Sequence, residues 1–381
     1  MSIAWSLDDP ALGEERETHE PGRRPGLDAF AAAIDSIRRE VESKVGPSDL
    51  RHIRRVRRAS VVAEILGRAL IHFSFDPLTF GAGVAALWLH QQLEATEIGH
   101  AVLHGSYDRL SGAEAFRSRT FRWDTPIDEE SWRFGHNVRH HQYTNIAGRD
   151  PDIHFGPTRL TDRTPYGRAH RVQLAYLVLV VIPNFAFFMS WHFSGVSDVY
   201  FGNGRPEKFD FIRDRSPRSV LAAHRVLLRK YVPYYAKEYL LFPLLAGPLF
   251  WKVALGNWLA RSVTDVYSAL TILCGHVGDD VKTFPEGTRA HSRGEFYKMQ
   301  VEATNNFEVP LPVSILCGAL DRQIEHHLFP RLPPNRLREI APAVRAACAA
   351  HGVEYRTASW RRTLGKVFRH IHTLSRHSIA G

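Results

Sequence analysis

Eight of the 21 histidines stand at spacings that can gather a metal ion. His100 and His104 (GHAVLHG) are four residues apart, so on a helix both imidazoles lie on one face and can point at one ion. His136 and His140 (HNVRHH) repeat that pair, and His141 adds a neighbour about 100° further round an α-helix, able to reach a second ion. His326 and His327 (QIEHH) form a third cluster, with Gln323 three residues earlier, and His276 (CGHVGDD) stands alone. Imidazole-only ligation suits zinc, copper, iron or nickel. Eight histidines and one amide are too many for one ion and reasonable for two. His52, His72, His90, His154, His170, His192, His224, His291 and the histidines of the tail have no such companions and read as ordinary surface or half-buried rings.

Rival chemistries are short of residues. The three cysteines, Cys274, Cys317 and Cys348, include no CxxC pair, which excludes a thiolate zinc or iron–sulfur site and a disulfide scaffold. HExxH is absent, so a zincin peptidase is excluded, as are GxSxG, P-loop and GxGxxG chemistries. A soluble di-iron bundle needs two ExxH motifs, and only Glu97–His100 matches. The formal net charge of +9 comes almost entirely from Arg, without a basic stripe interleaved with aromatics, so nucleic acid is not an expected partner.

The elements that must position these histidines are apolar helices. Residues 28–44 have helical apolar spacing with charged faces and predict a surface helix. Residues 51–58 carry five Arg just before the apolar stretch 61–75, in which Glu64, Arg68 and His72 share one face. Residues 77–93 lack charge and continue helically towards His104; joined at Asp76-Pro77, the two stretches predict a helical hairpin. Residues 172–193 contain no Asp, Glu, Lys or Arg but are interrupted by Pro183. A second hairpin is expected from 239–255 and 257–276, with Arg261 and Asp265 four apart. The slightly negative mean hydropathy is also what a large soluble helical enzyme would give.

Arg and Lys favour the cytoplasmic side of spans. Residues 51–58 therefore place the N-terminus in the cytoplasm, and a two-span hairpin returns the chain there by His100. Arg163, Arg168 and Arg171 precede 172–193, and Lys208, Arg213, Arg215, Arg218, Arg225, Arg229 and Lys230 follow it, so this segment is read as re-entrant or interfacial rather than crossing. The predicted fold is an all-α integral-membrane protein: two transmembrane helical hairpins, a re-entrant segment and a cytoplasmic helical cap carrying the histidine clusters. The organisation reads as an N-terminal cytoplasmic segment (1–58), a membrane-bound body (59–355) and a basic tail (356–381). The polar first 26 residues hold no secretory signal.

In this order, HAVLH, HNVRHHQYTN and QIEHHLFPRLP, with the hydrophobic regions between them, resemble the integral-membrane fatty acid desaturases. The Gln-first third box resembles the linoleoyl or front-end branch, as do QVEATNNF (300–307), GRDPD (148–152) and LREIAPAVRAACAAHGVEY (337–355). The likeness covers 61–355. It implies an oxygen-dependent enzyme with two iron ions that introduces a cis double bond into a fatty acyl chain carried on CoA, a carrier protein or a lipid. The ligands it implies are His100, His104, His136, His140, His141, His276, His326 and His327. Gln323 stands where stearoyl-type relatives have a His, bound directly or through water. Ile272 replaces the stearoyl-type Asn, and His19-Glu20-Pro21-Gly22 does not match the haem-binding HPGG of fused cytochrome domains.

Electrons are then expected from a separate ferredoxin or cytochrome with an NAD(P)H reductase, docking on the basic cytoplasmic face. The resemblance places the protein in a lipid bilayer, the bacterial inner membrane, with boxes and both termini cytoplasmic. Asp150, Asp152, Glu97, Glu302, Glu325 and Asp279 are candidates to orient the imidazoles through the other ring nitrogen. Trp88, Trp132, Trp191 and Trp258 are candidates to line an acyl channel, although interfacial belts are the commoner use of Trp. The competing functions are a sister oxygenase, such as a hydroxylase or epoxygenase, and a His-lined metal transporter, which would string its ligands along a span.

Overall fold

A computed structural model describes residues 25–202 and 209–376. The start of the chain and Lys208 lie outside the described residues. Helix α1 (Pro25–Lys44) is amphipathic, as the periodicity predicts: Phe30, Ile34 and Val41 are buried while its charges face outward. Helix α2 (Pro47–Phe73) runs unbroken through the five-Arg stretch into the apolar one. Helix α3 (Pro77–Leu93) starts where Asp76 accepts backbone N–H bonds from Leu78 and Thr79, each at 2.9 Å, with Pro77 supplying the first helical position.

The first hairpin is held at close quarters by glycine. A Cβ on Gly67 would come within 2.6 Å of the Leu87 backbone, and one on Gly83 within 2.8 Å of that of Ile71. Across these contacts Ile71, Leu87, Val253 and Ala260 form a small apolar core. The second hairpin differs from expectation in its turn. Helix Phe250–His276 is continuous through Gly256, and the reversal falls earlier, at Gly247–Leu249, after the Pro217–Ala236 helix and its extension to Leu245. Gly247 adopts φ +53°, beside Pro248, whereas Gly256 stays helical because its missing Cβ lets Ile71 approach. The reversal expected between 255 and 257 therefore lies at 247–249.

Among the described residues one helical run, Arg168–Ser194, is long and apolar enough to cross a membrane. It is locally irregular, with π winding over Leu177–Val181 and a tighter turn over Ile182–Asn184 that contains Pro183. Large apolar side chains stand exposed on both hairpins, among them Leu66, Phe73, Leu78, Leu244 and Trp251.

The histidine-bearing cap has its own core, in which α1 packs with Tyr297, Val301, Ile324, Leu328, Ile340 and Val344. Among the described residues the regular structure is helical apart from one short parallel pair, Asn306–Glu308 against Thr357–Ser359, and an isolated bridge between Ile146 and Phe284, which the all-α expectation lacked. That pair has a purpose: Asn306 Oδ1 accepts the Ile324 N–H at 2.9 Å, pinning the third box to the strand. Helix Trp360–Arg376 packs back on the body through buried Val367 and Ile371.

Candidate metal centre

Helix α3 does not reach the first box in α form. From Glu94 to His100 it winds as a π-helix, and the second box repeats this over Arg133–His140. Both π turns sit where a glycine admits a neighbour: a Cβ on Gly99 would meet Trp123 at 2.8 Å, and one on Gly135 would meet Phe193 at 2.6 Å. Bonding i→i+5 shifts which residues share a face. His141 therefore turns back towards His136, Nε2 to Nε2 3.3 Å, although five residues separate them. The third box forms the short helix Gln323–Leu328, reached through left-handed Gly318 and Ala319. His276 closes the long helix that begins at Phe250.

The four chain segments meet in one knot with two sides. His100, His104, His136 and His326 bring four nitrogens within 4.8 Å of one another, and His140, His276 and His327 do the same with three. His136 and His140 fall in different members of this pair of clusters, and they also meet in a third group with Asp152, whose carboxylate stands 3.6 Å from Nδ1 of each. His141 lies between the two clusters, its ring centroid 4.8 Å from those of His104 and His326 and 4.3 Å from that of His327. The Gln323 amide nitrogen is 2.6 Å from His276 Nε2, and Gly275 makes the room, since a Cβ there would meet Gln323 at 2.8 Å.

Donor chemistry fits a metal. Nε2 of His104, His140, His326 and His327, Nδ1 of His141 and His276, and Oε1 of Gln323 are all buried with no hydrogen-bond partner in the protein. Buried polar atoms are normally satisfied, so seven orphaned donor atoms on box residues fit a metal site. Burial, reinforced by the neighbouring imidazoles, drives the pKa values of His141, His326 and His327 well below the usual value, which keeps their lone pairs free. His140 is the exception: burial opposes its charge, but Asp150 and Asp152 outweigh that and raise it to about 9.

Hydrogen bonds fix the rings from behind. Nδ1 of His140 donates to Asp150 at 3.1 Å, and Asp150 in turn accepts the Asn145 N–H at 2.7 Å. Nδ1 of His327 donates to Gln300 Oε1 at 3.0 Å and lies 3.1 Å from Thr144 Oγ1. Asp152 lies 3.6 Å from His136 Nδ1 and 3.2 Å from His192 Nε2. Of the six carboxylates proposed for this task only Asp150 hydrogen-bonds a box imidazole, with Asp152 standing 3.6 Å from the His136 and His140 rings. Glu97 instead binds Arg338 (2.6 Å) and His52 (2.7 Å), joining α2 and α3 to the cap. Glu325 turns to Asn306 and Tyr355, Glu302 to Lys282 and Lys298, and Asp279 to Arg369 at the surface.

Of the four Trp, Trp132 alone packs on box rings, stacked on His136 at 4.5 Å and edge-on to His100 and His104. Trp88 packs on Tyr267 and Trp191 on Phe187, while Trp258 is half exposed. Sequence reasoning missed Thr144, Gln300 and His192. The first two lie inside motifs it quoted, HNVRHHQYTN and QVEATNNF, but nothing in their spacing shows what they touch.

A mostly helical protein that folds eight histidines into a buried knot between apolar hairpins belongs to a narrow class, and comparison with known proteins agrees. The model of the fatty acid desaturase family matches residues 77–359. The NADPH-dependent stearoyl-CoA 9-desaturase of Mycobacterium tuberculosis is 31% identical over 92% of this chain and 80% of its own length. The sn-1 linoleoyl-lipid 6-desaturase of Arthrospira platensis is 24% identical over 73% of this chain and 71% of its own. An acyl-lipid (7-3)-desaturase of Rebecca salina is 32% identical over 64% of this chain and 53% of its own. The chain belongs to the fatty acid desaturase family. It is an oxidoreductase that acts on a fatty acyl substrate, and its family uses iron and oxygen and is membrane-associated.

Proposed function

We propose that two iron ions occupy the two sides of the histidine knot. His100, His104, His136 and His326 hold one, and His140, His276 and His327 hold the other, with Gln323 beside His276 and His141 between them. The observation that carries this reading is the set of seven buried donor atoms without partners. When bound, the irons would activate oxygen, whose four-electron reduction to water takes two electrons with the two hydrogens removed from the acyl chain and two from the external donor.

The protein's own residues do the positioning. Asp150, Gln300 and Thr144 hold the His140 and His327 rings through Nδ1, which leaves Nε2 of each directed inward. Trp132 packs against His100, His104 and His136. The acyl chain enters between the hairpins of the body, 59–355, and bends at the knot so that one C–C bond faces it. Exposed apolar faces on both hairpins support insertion in a bilayer, and the Arg-rich start of α2 supports a cytoplasmic side for the boxes and termini, in a bacterial inner membrane. Electrons come from a separate ferredoxin or cytochrome and its reductase. The exposed cations of helix Trp360–Arg376, including Arg361, Arg362 and Arg369, supply a face for an acidic donor. The relatives' names offer CoA and lipid as acyl carriers.

Expression in a bacterial host, with cellular fatty acids resolved by mass spectrometry, tests the reading. A new cis-monoene or an added double bond is expected, absent with His327→Ala. A hydroxylated product with no new double bond would move the protein to the sister oxygenases. Metal uptake across the membrane without oxygen consumption would make it a transporter.

A further inference from the structure

A second cluster of metal-binding side chains lies outside the knot. His90, in α3, is ten residues before His100, which places it about 15 Å away along a helix. Its ring is buried, 2% exposed, and Nδ1 is held by Ser60 Oγ at 2.9 Å. Nε2 has no hydrogen-bond partner. It faces two carboxylates, Glu64 Oε2 from α2 and Asp124 Oδ2 from the loop before the second box, each 3.7 Å away. All three donor atoms lie within 4.8 Å of one another.

The distance is too long for a hydrogen bond and close to what a shared ion needs. Zinc bonds of about 2.1 Å to nitrogen and oxygen put neighbouring ligands about 3–3.5 Å apart, so a shift of a few tenths of an ångström would complete the geometry. Charge permits it. Glu64, Glu94, Asp124 and Glu238 outnumber Arg57, Arg68 and Lys237 by one. Arg68 Nε binds Glu64 at Oε1, which leaves Oε2 towards His90. Lys237 spans both Asp124 oxygens at 2.5 and 2.6 Å but also reaches Glu238 at 3.1 Å, so it keeps two partners when Oδ2 turns to an ion. Glu64 and Asp124 remain 28% and 30% exposed, which gives the ion a route from solvent.

We propose that Glu64, His90 and Asp124 form a third cation site, separate from the histidine knot, which takes one zinc-like divalent ion. One imidazole with two carboxylates suits zinc or manganese better than the thiolate-seeking metals. The ion joins α2, α3 and the 124 loop, and so fastens the first hairpin to the segment that leads into the second box.

The test is zinc titration of the iron-loaded full chain in detergent, with zinc and iron both counted after gel filtration. The parent is expected to gain one zinc per chain with its iron content unchanged, and its melting temperature to rise. His90→Ala should lose that zinc while keeping the parent's iron. Glu64→Gln preserves shape should the alanine variant fail to fold, and it should weaken zinc by at least about tenfold, the least that even an outer partner of a metal site costs. X-ray absorption at the zinc edge should show one imidazole and light oxygen neighbours. No added zinc, zinc that enters only as iron leaves, equal uptake in His90→Ala, or an edge spectrum of several imidazoles would each overturn the proposal.

Discussion

The two sides of the histidine knot are built on different plans. The four-imidazole side is braced by packing: Trp132 lies against three of its rings, and its closest carboxylate, Asp152, stands 3.6 Å from His136. The three-imidazole side is braced by polar contacts. His140 rests on Asp150, His327 on Gln300 and Thr144, and His276 faces Gln323. Fewer imidazoles thus go with a denser polar collar, and an amide stands beside His276. The contrast teaches that donor number and donor orientation can be traded within one site.

The two sides are therefore expected to respond unequally to damage. The largest effect is expected for His140→Ala or His327→Ala, which leave two imidazoles on the weaker side: product formation should fall to background and about half the bound iron should go. His104→Ala leaves three imidazoles and should retain more metal, so equal losses by elemental analysis would break the comparison. Next come Asp150→Asn and Gln300→Ala, expected to weaken iron binding by about 10–100-fold at the three-imidazole side alone. Asp152→Asn should do less, since its contact with His136 is longer. Gln323→His tests the amide directly: it should tighten the weaker side and make the two metal sites more alike by Mössbauer spectroscopy. Unchanged spectra would show that residue 323 does not reach the metal. The smallest effect is expected for Trp132→Phe, a stability loss of about 0.5–1.5 kcal/mol in thermal unfolding with iron content unchanged.

The contents of the knot were legible in the chain because coordination needs particular side chains at short spacings. All eight histidines and Gln323 come together, and α1 and the first hairpin form where periodicity and the Asp76-Pro77 signal put them. What was not legible is the winding. Spacing of four assumes an α-helix, whereas π turns run through both helical boxes and bring His141 back to His136. Glycine was ambiguous in the same way: Gly247 turns the chain, while Gly256 only lets a helix approach. His90 and His192, unremarkable as single histidines, each find carboxylates from distant segments.

Residue chemistry and local period therefore determined which atoms could meet a metal and which helices carry them, since both act over a few residues. Tertiary structure alone decided how those atoms divide into two sides, which carboxylates stand behind them, and where the second hairpin reverses. Those outcomes depend on contacts between segments as far apart as His140, His276 and His327, and on glycines that let backbones come close.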